Sequence, residues 1–206
     1  MLFLVLLALL TCARNVDYHA PLSRRNEENE MRTHRSVRVY RMRVLGFDPG
    51  IKNLGVCYLN HGTVEMLDVV DVTDFLCGIR RLDAWFHQLD DTDVIAIEAQ
   101  PGTNRQVTKV MHFVELYARI HTRARIVFIA PRTRLAFVKQ TVSESGPTLS
   151  QTYKERKLAS IRVARDLITR HSPGMLETFD GFVKKDDAAE AFLCAWLAHK
   201  KYNVAP

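Results

Sequence analysis

Four carboxylic acids from three distant stretches of the chain, Asp48, Glu98, and Asp187 with Glu190, sit where acids can do chemistry. Asp48 closes the apolar run Val44 to Phe47 and precedes Pro49-Gly50, a turn that lifts its side chain out of a sheet. Glu98 closes Val94 to Ile97 in the same manner, before the loop Ala99 to Gly102. A carboxylate at the end of a buried strand is costly unless a cation meets it. Asp187 and Glu190 are three residues apart near the start of the last helical segment, so they share a helix face. The small residues Ala188, Ala189 and Ala191 let that helix end approach a sheet. If the strands ending in Asp48 and Glu98 are neighbours, these two acids meet at one sheet edge, the usual place for sites in open α/β architectures, and Asp187 and Glu190 can point together at what lies beyond the sheet. Such hard oxygen donors suit Mg²⁺ or Mn²⁺. Two such ions about 4 Å apart activate water and stabilise the leaving oxygen in phosphodiester hydrolysis.

Each acid alone has a plainer use. Asp48 before Pro-Gly suits a turn, and Asp186, Asp187 and Glu190 suit the positive end of a helix dipole. Their conjunction is what points to a metal site.

The elements that must position these acids follow from hydrophobic periodicity. Arg43 to Phe47, Gly55 to Leu59 and Thr63 to Val72 read as three strands joined by short turns, an antiparallel meander. Thr73 and Asp74 offer N-caps to a helix through Phe75, Leu76, Ile79, Leu82, Phe86 and Leu89. A short strand, Val94 to Ile97, precedes a helix over Thr103 to His121, then the strand Ile126 to Ile129 and the breaker Pro131. A short helix, a polar loop over Thr141 to Thr152 and helices at Tyr153 to Thr169 and Asp186 to Lys200 complete the order. The fold class is α/β: a mixed five-stranded sheet flanked by helices, with the first three strands antiparallel and the fourth and fifth parallel.

The 206 residues fit one domain with an appendage, and the 47% hydrophobic content excludes a chain disordered throughout. A net charge of +6 favours polyanionic partners. Cys12, Cys57, Cys77 and Cys194 are scattered, with no C-x-x-C pair for zinc, redox chemistry or a disulfide framework, as expected of a reducing intracellular compartment. The apolar run Leu2 to Leu10 is as long as a signal-peptide core but has no basic residue before it and no clear small-residue cleavage site after it, and it is too short to span a bilayer. Thr11 to Arg41 is polar and charge-mixed without a period of 2 or 3.6. Residues 1–41 are therefore expected to be a disordered N-terminal extension, a targeting segment and a basic DNA-binding arm being the alternatives, and residues 42–206 the folded domain.

Three blocks resemble the RuvC family of Holliday junction resolvases, most closely the poxvirus and iridovirus type: Val44-Leu-Gly-Phe-Asp-Pro-Gly50 with Lys52-Asn-Leu-Gly55, Ile95-Ala-Ile-Glu98 with Gln100, and Lys184-Lys-Asp-Asp-Ala-Ala-Glu190. A fourth, Phe137-Val-Lys-Gln-Thr-Val142, resembles the bacterial members. The resemblance spans Met42 to about His199. It implies an RNase H-like fold and a homodimer with two Mg²⁺ per active site, Mn²⁺ substituting. It also implies paired nicks across a four-way DNA junction during recombination or replication, with no membrane partner and no small-molecule cofactor beyond the metal. If the source is viral, the place is host cytoplasm or nucleus where viral DNA replicates.

By position, Asp48, Glu98, Asp187 and Glu190 match the family's catalytic, metal-holding acids; the last is usually Asp, and Glu190 is one methylene longer. Lys139 falls where bacterial members keep a basic residue near the scissile phosphate, and a lysine there offsets transition-state charge. Lys157, or Lys154, fits a second basic position. Gln100, Asn104, Arg105 and Lys52 are further candidates for DNA contact, with helix capping by Thr103 or Asn104 as the alternative. The aromatic residue that bacterial members carry just after the glutamate is missing, since Ala99, Gln100, Pro101 and Gly102 follow Glu98.

Trp85, Phe86, Phe113, Tyr117, Phe192 and Trp196 sit at helical spacings that suit core or dimer packing. The helix Thr103 to His121, apolar on more than one side, is the expected dimer interface. Asp48-x-Gly50 with Gly55 also resembles the phosphate turn of actin-like ATPases, but no second such turn follows and the chain is too short for two lobes. Two other rivals are a non-catalytic branched-DNA-binding module and a related RNase H-like nuclease acting on RNA hybrids or simpler branches.

Overall fold

The computed structural model describes residues 42–88, 91–143 and 152–203. The expected extension, residues 1–41, lies outside the described residues, as does Leu89. Strands β1 (Arg43–Pro49), β2 (Asn53–Asn60), β3 (Thr63–Asp71), β4 (Val94–Glu98) and β5 (Arg125–Ile129) form one sheet in the order β3-β2-β1-β4-β5. β1 pairs antiparallel with β2 and parallel with β4, which pairs parallel with β5. The meander and the parallel pair are both as expected. The β2–β3 hairpin turns at His61 and Gly62, both with positive φ (53° and 85°), the geometry of a two-residue turn whose twist matches its strands.

Strands β1 and β4 are buried along nearly their whole length, as strands covered on both faces must be. Alternation then decides which side chain meets which layer. Phe47 turns to the layer of α1 (Phe75–Gln88) and α2 (Arg105–His121), where its ring lies 6.1 Å from Phe86, and Phe86 lies 5.3 Å from Tyr117. Val44, Val94 and Ala96 turn to the opposite layer, the main core, with α4 (Tyr153–His171) and α6 (Lys185–Tyr202). The expected aromatic packing is present there too, Phe192 lying 5.8 Å from Trp196.

Helix α6 crosses β1 and β2 at a distance that only small residues permit. A Cβ built on Gly46 would lie 2.6 Å from the Ala191 carbonyl oxygen, and one on Gly55 would lie 2.3 Å from that of Asp187. The alanines of α6 are the other half of this close approach: Ala188, Ala189, Ala191 and Ala195 are fully buried.

Several boundaries differ from the sequence reading. β5 ends before Pro131 as expected, and Pro131 itself opens helix α3 (Pro131–Ser143), where its fixed φ suits the first turn and its missing N–H costs nothing. Residues 141–143 of the expected polar loop belong to this helix, and 144–151 lie outside the described residues. A short helix, α5 (Leu176–Gly181), follows a 3-10 turn at Pro173–Met175 where the sequence reading had no element; six residues are too few to show a period. Helix α4 starts as expected, its Thr152 and Glu155 forming a complete capping box. Cys57 and Cys194 are free buried thiols.

Candidate metal centre

Gly46 pairs with Ala96 and Phe47 with Ile97 in the parallel β1–β4 register. Asp48 and Glu98 are the next residues on each strand, so alternation sends both to the face covered by α6. Glu190 comes down from that helix, one residue before the Ala191 that touches Gly46. One carboxylate oxygen from each of Asp48, Glu98 and Glu190 lies within 4.8 Å of the others, and Asp48 and Glu98 are buried. Oxygens sharing one hard divalent ion at about 2.1 Å stand roughly 3 to 4 Å apart. Small side-chain adjustments would close this set on an ion, and three carboxylates are the donor set Mg²⁺ or Mn²⁺ takes.

Asp187 is not in that group. The i, i+3 spacing puts it on the same side of α6 as Glu190, but its carboxylate accepts a hydrogen bond from Asn53 Nδ2 at 3.1 Å, at the start of β2. It is half-buried and lies outside the group of three, so the expected fourth ligand is not gathered with the others. Its neighbour Asp186 pairs with Lys157, whose ammonium also lies 5.1 Å from the Tyr153 ring centre.

A residue absent from the sequence reading completes the centre. Arg134, in the first turns of α3, is buried with its Nε 2.9 Å from Glu98 Oε1 and its Nη1 2.9 Å from Glu190 Oε1. The same Nη1 donates to Ser160 Oγ of α4 at 3.1 Å. Its signal was available in the topology. Because β5 runs parallel to β4, the helix following β5 starts beside the end of β4, so a basic residue in its first turns reaches Glu98.

Burial and the facing carboxylates of Glu98 and Glu190 push the Asp48 carboxyl well above the usual range, although Arg134 opposes them. Burial likewise pushes Glu190 up to about 7, with Arg134 pulling down and Glu98 pushing up. Burial and Asp186 raise Asp187. For Lys157, burial works against the charge, but the bonds to Asp186 and Tyr153 outweigh it and the net shift is upward.

These shifts give a signed expectation. A carboxyl whose folded pKa exceeds its unfolded one binds a proton more readily when folded, so its contribution to stability is complete below the unfolded value and is lost as pH rises through the folded one. For Glu190 the window runs from 4.5 to about 7. In EDTA the melting temperature is expected to fall across that window, to fall less in Glu190→Gln, and to stay level when Mn²⁺ replaces the proton. Thermal melts at a series of pH values check this. A wild-type slope untouched by Glu190→Gln would refute the assignment.

The other expected contact residues fall into three groups. Gln100 is half-buried, its Nε2 3.4 Å from Glu98 Oε2, beside the centre. Asn104 caps α2, its side-chain oxygen accepting from the Val107 N–H at 3.4 Å. Lys52, Arg105, Lys139 and Lys154 are exposed, Lys139 immediately after the buried Val138 of α3.

A five-stranded mixed sheet in the order β3-β2-β1-β4-β5, flanked by helices, is an RNase H-like fold. Residues 42–200 match the family model described as Poxvirus A22 protein, and the chain belongs to that family. No curated protein matches the chain significantly. Among solved structures, the fowlpox virus Holliday junction resolvase superposes with a TM-score of 0.58 at 18% identity, covering 78% of this chain and 99% of that one. The fowlpox virus resolvase in complex with substrate Holliday junction DNA gives the same score and identity, covering 78% and 98%. Thermus thermophilus RuvC in complex with a Holliday junction substrate gives 0.47 at 18% identity, covering 78% and 94%. Among the described residues no helix is long and apolar enough to cross a membrane.

Proposed function

We propose that this chain is a metal-dependent endodeoxyribonuclease that resolves four-way DNA junctions by paired nicks. The observation that carries the reading is the convergence of Asp48, Glu98 and Glu190 at the sheet end, the first two of them buried. Three acids drawn together, two of them buried, serve no packing purpose, and their mutual repulsion is tolerated where a cation is to be held. Asp48, Glu98 and Glu190, with Asp187 at the margin, would hold Mg²⁺ or Mn²⁺. The ions, two per site in this reading, supply an activated water and charge stabilisation at the leaving oxygen. For a phosphate backbone this reading uses the exposed Lys52, Arg105, Lys139 and Lys154 and the half-buried Lys157. Gln100 orients one oxygen of Glu98.

A four-way junction has approximate two-fold symmetry, so a homodimer presents one centre to each of two opposed strands. Helix α2 supports such a dimer, since Leu116 and Ile120, one turn apart, are 48% and 46% exposed. The reading includes affinity that falls steeply with salt, because phosphates rather than bases set the position. Its place is DNA recombination or replication inside the cell.

A synthetic four-way junction, offered with Mg²⁺ or Mn²⁺ and again with EDTA, tests the reading. Symmetric nicks that EDTA abolishes are expected. A protein that shifts the junction on a gel and never nicks it would be a binding module instead. One that prefers a flap or an RNA–DNA hybrid in competition would be the related nuclease. Lys139→Ala is expected to slow cutting by about 10²-fold while binding weakens several-fold less. Equal loss of both would make Lys139 an ordinary phosphate contact.

A further inference from the structure

Arg134 is the one buried lysine or arginine among the described residues, and it faces three acids. An ordinary buried ion pair balances its charges, because removing two ions from water is repaid only by close mutual contact. Here one guanidinium contacts the carboxylates of Glu98 and Glu190, with Asp48 grouped beside them, so that with all three acids ionised the formal excess is two negative charges, the charge of one divalent ion. The guanidinium is also placed to join elements rather than to fill space. Its Nε addresses Glu98 on β4, its Nη1 addresses Glu190 on α6, and Ser160 of α4 accepts from the same nitrogen. With its side chain 7% exposed, solvent does not dilute these interactions.

We propose that Arg134 is the built-in countercation of the acidic centre, a positioning residue that holds Glu98 and Glu190 together before a divalent ion arrives and then shares them with it. The proposal rests on the metal-site reading above and adds to it a role for this arginine. Without Arg134 the acids from β4 and α6 would repel each other across the core, and the ion would have to assemble the site as well as fill it. A planar fork that donates to two acids at once is what a lysine lacks, while a lysine still supplies the charge. Arg134→Lys and Arg134→Gln therefore separate charge from shape.

The test is thermal unfolding of the full chain at one alkaline pH, in EDTA and in saturating Mn²⁺, with no DNA and no cleavage read. Removing one partner of a buried charge network costs a few kcal/mol, equivalent in a domain of this size to about 10 °C in melting temperature. Arg134→Gln is expected to lose about that much in EDTA and to regain most of it in Mn²⁺, so that its metal-induced rise exceeds that of the wild type. Arg134→Lys should lose less than half as much. Arg134→Gln combined with Glu190→Gln restores the wild-type charge excess and should melt above Arg134→Gln alone; if Arg134→Gln does not fold, a folded double variant gives the same answer.

A double variant no more stable than Arg134→Gln, or a metal-induced rise in Arg134→Gln no larger than in the wild type, would make Arg134 a packing strut and overturn the proposal alone. A wild type that does not respond to Mn²⁺ at all would overturn the metal-site reading, and the proposal with it.

Discussion

Asp48→Asn and Glu98→Gln are each expected to abolish junction cutting while leaving junction binding within a few-fold of wild type. Metal ligation contributes several kcal/mol of transition-state stabilisation, and at 1.36 kcal/mol per factor of ten its loss slows the reaction by about 10³-fold or more. Binding is set elsewhere, by the exposed cations that neutralise phosphates. The two variants differ in their effect on the fold. The Asp48 carboxyl is already driven toward its neutral form by burial and by Glu98 and Glu190, so an amide of the same shape removes a repulsion, and Asp48→Asn should melt at or above the wild type in EDTA. Glu98→Gln takes a charged partner from Arg134 and should melt lower. Rates are checked on a labelled junction under single-turnover conditions. Wild-type cutting in either variant would remove that acid from the centre.

The second large effect is expected at an uncharged residue, Gly55, which pairs with Asp48 across β1 and β2. Gly55 has room for no side chain, since a Cβ there would sit 2.3 Å from the Asp187 carbonyl oxygen and 3.1 Å from Ala191 Cβ. The first obstacle is helix backbone, so Gly55→Ala must push the start of α6 away from β2. Overpacking of this kind costs about 1 to 3 kcal/mol. The larger consequence is chemical, because α6 carries Glu190 and Asp187. A displacement of about 1 Å at a catalytic group can cost about 10²-fold in rate, and Gly55→Ala is expected to lose that much cutting with junction affinity retained. Gly174→Ala is the control, as a Cβ there meets nothing within 4 Å. A Gly55→Ala protein cutting at the control's rate would show that the approach of α6 does not set the site.

Much of this arrangement was legible in the sequence, for reasons that have limits. The apolar runs that end in Asp48 and Glu98 place both acids at strand ends, and Ala188, Ala189 and Ala191 foretell a close helix, while the matching glycines Gly46 and Gly55 emerge only in the fold. What the sequence hid were long-range pairings. Arg134 is 36 residues from Glu98 and 26 from Ser160, and read in isolation it is one more surface base, while the motif drew attention to Lys139 on the same helix. Asp187 shows the converse. Helical spacing puts it on the same side of α6 as Glu190, but local geometry does not foresee that Asn53, 134 residues away, engages its carboxylate. Elements shorter than two turns, such as α5, carry no periodicity to read.

The central claim is that Asp48, Glu98 and Glu190 hold a divalent ion. Anomalous scattering from a manganese-soaked crystal measures this directly. The expected result is a manganese peak bounded by the three carboxylates at about 2.2 Å from their oxygens, with the Arg134 guanidinium still in contact with at least one of them. A crystal saturated with manganese that shows no peak between these acids, or shows one only at another place, would contradict the account.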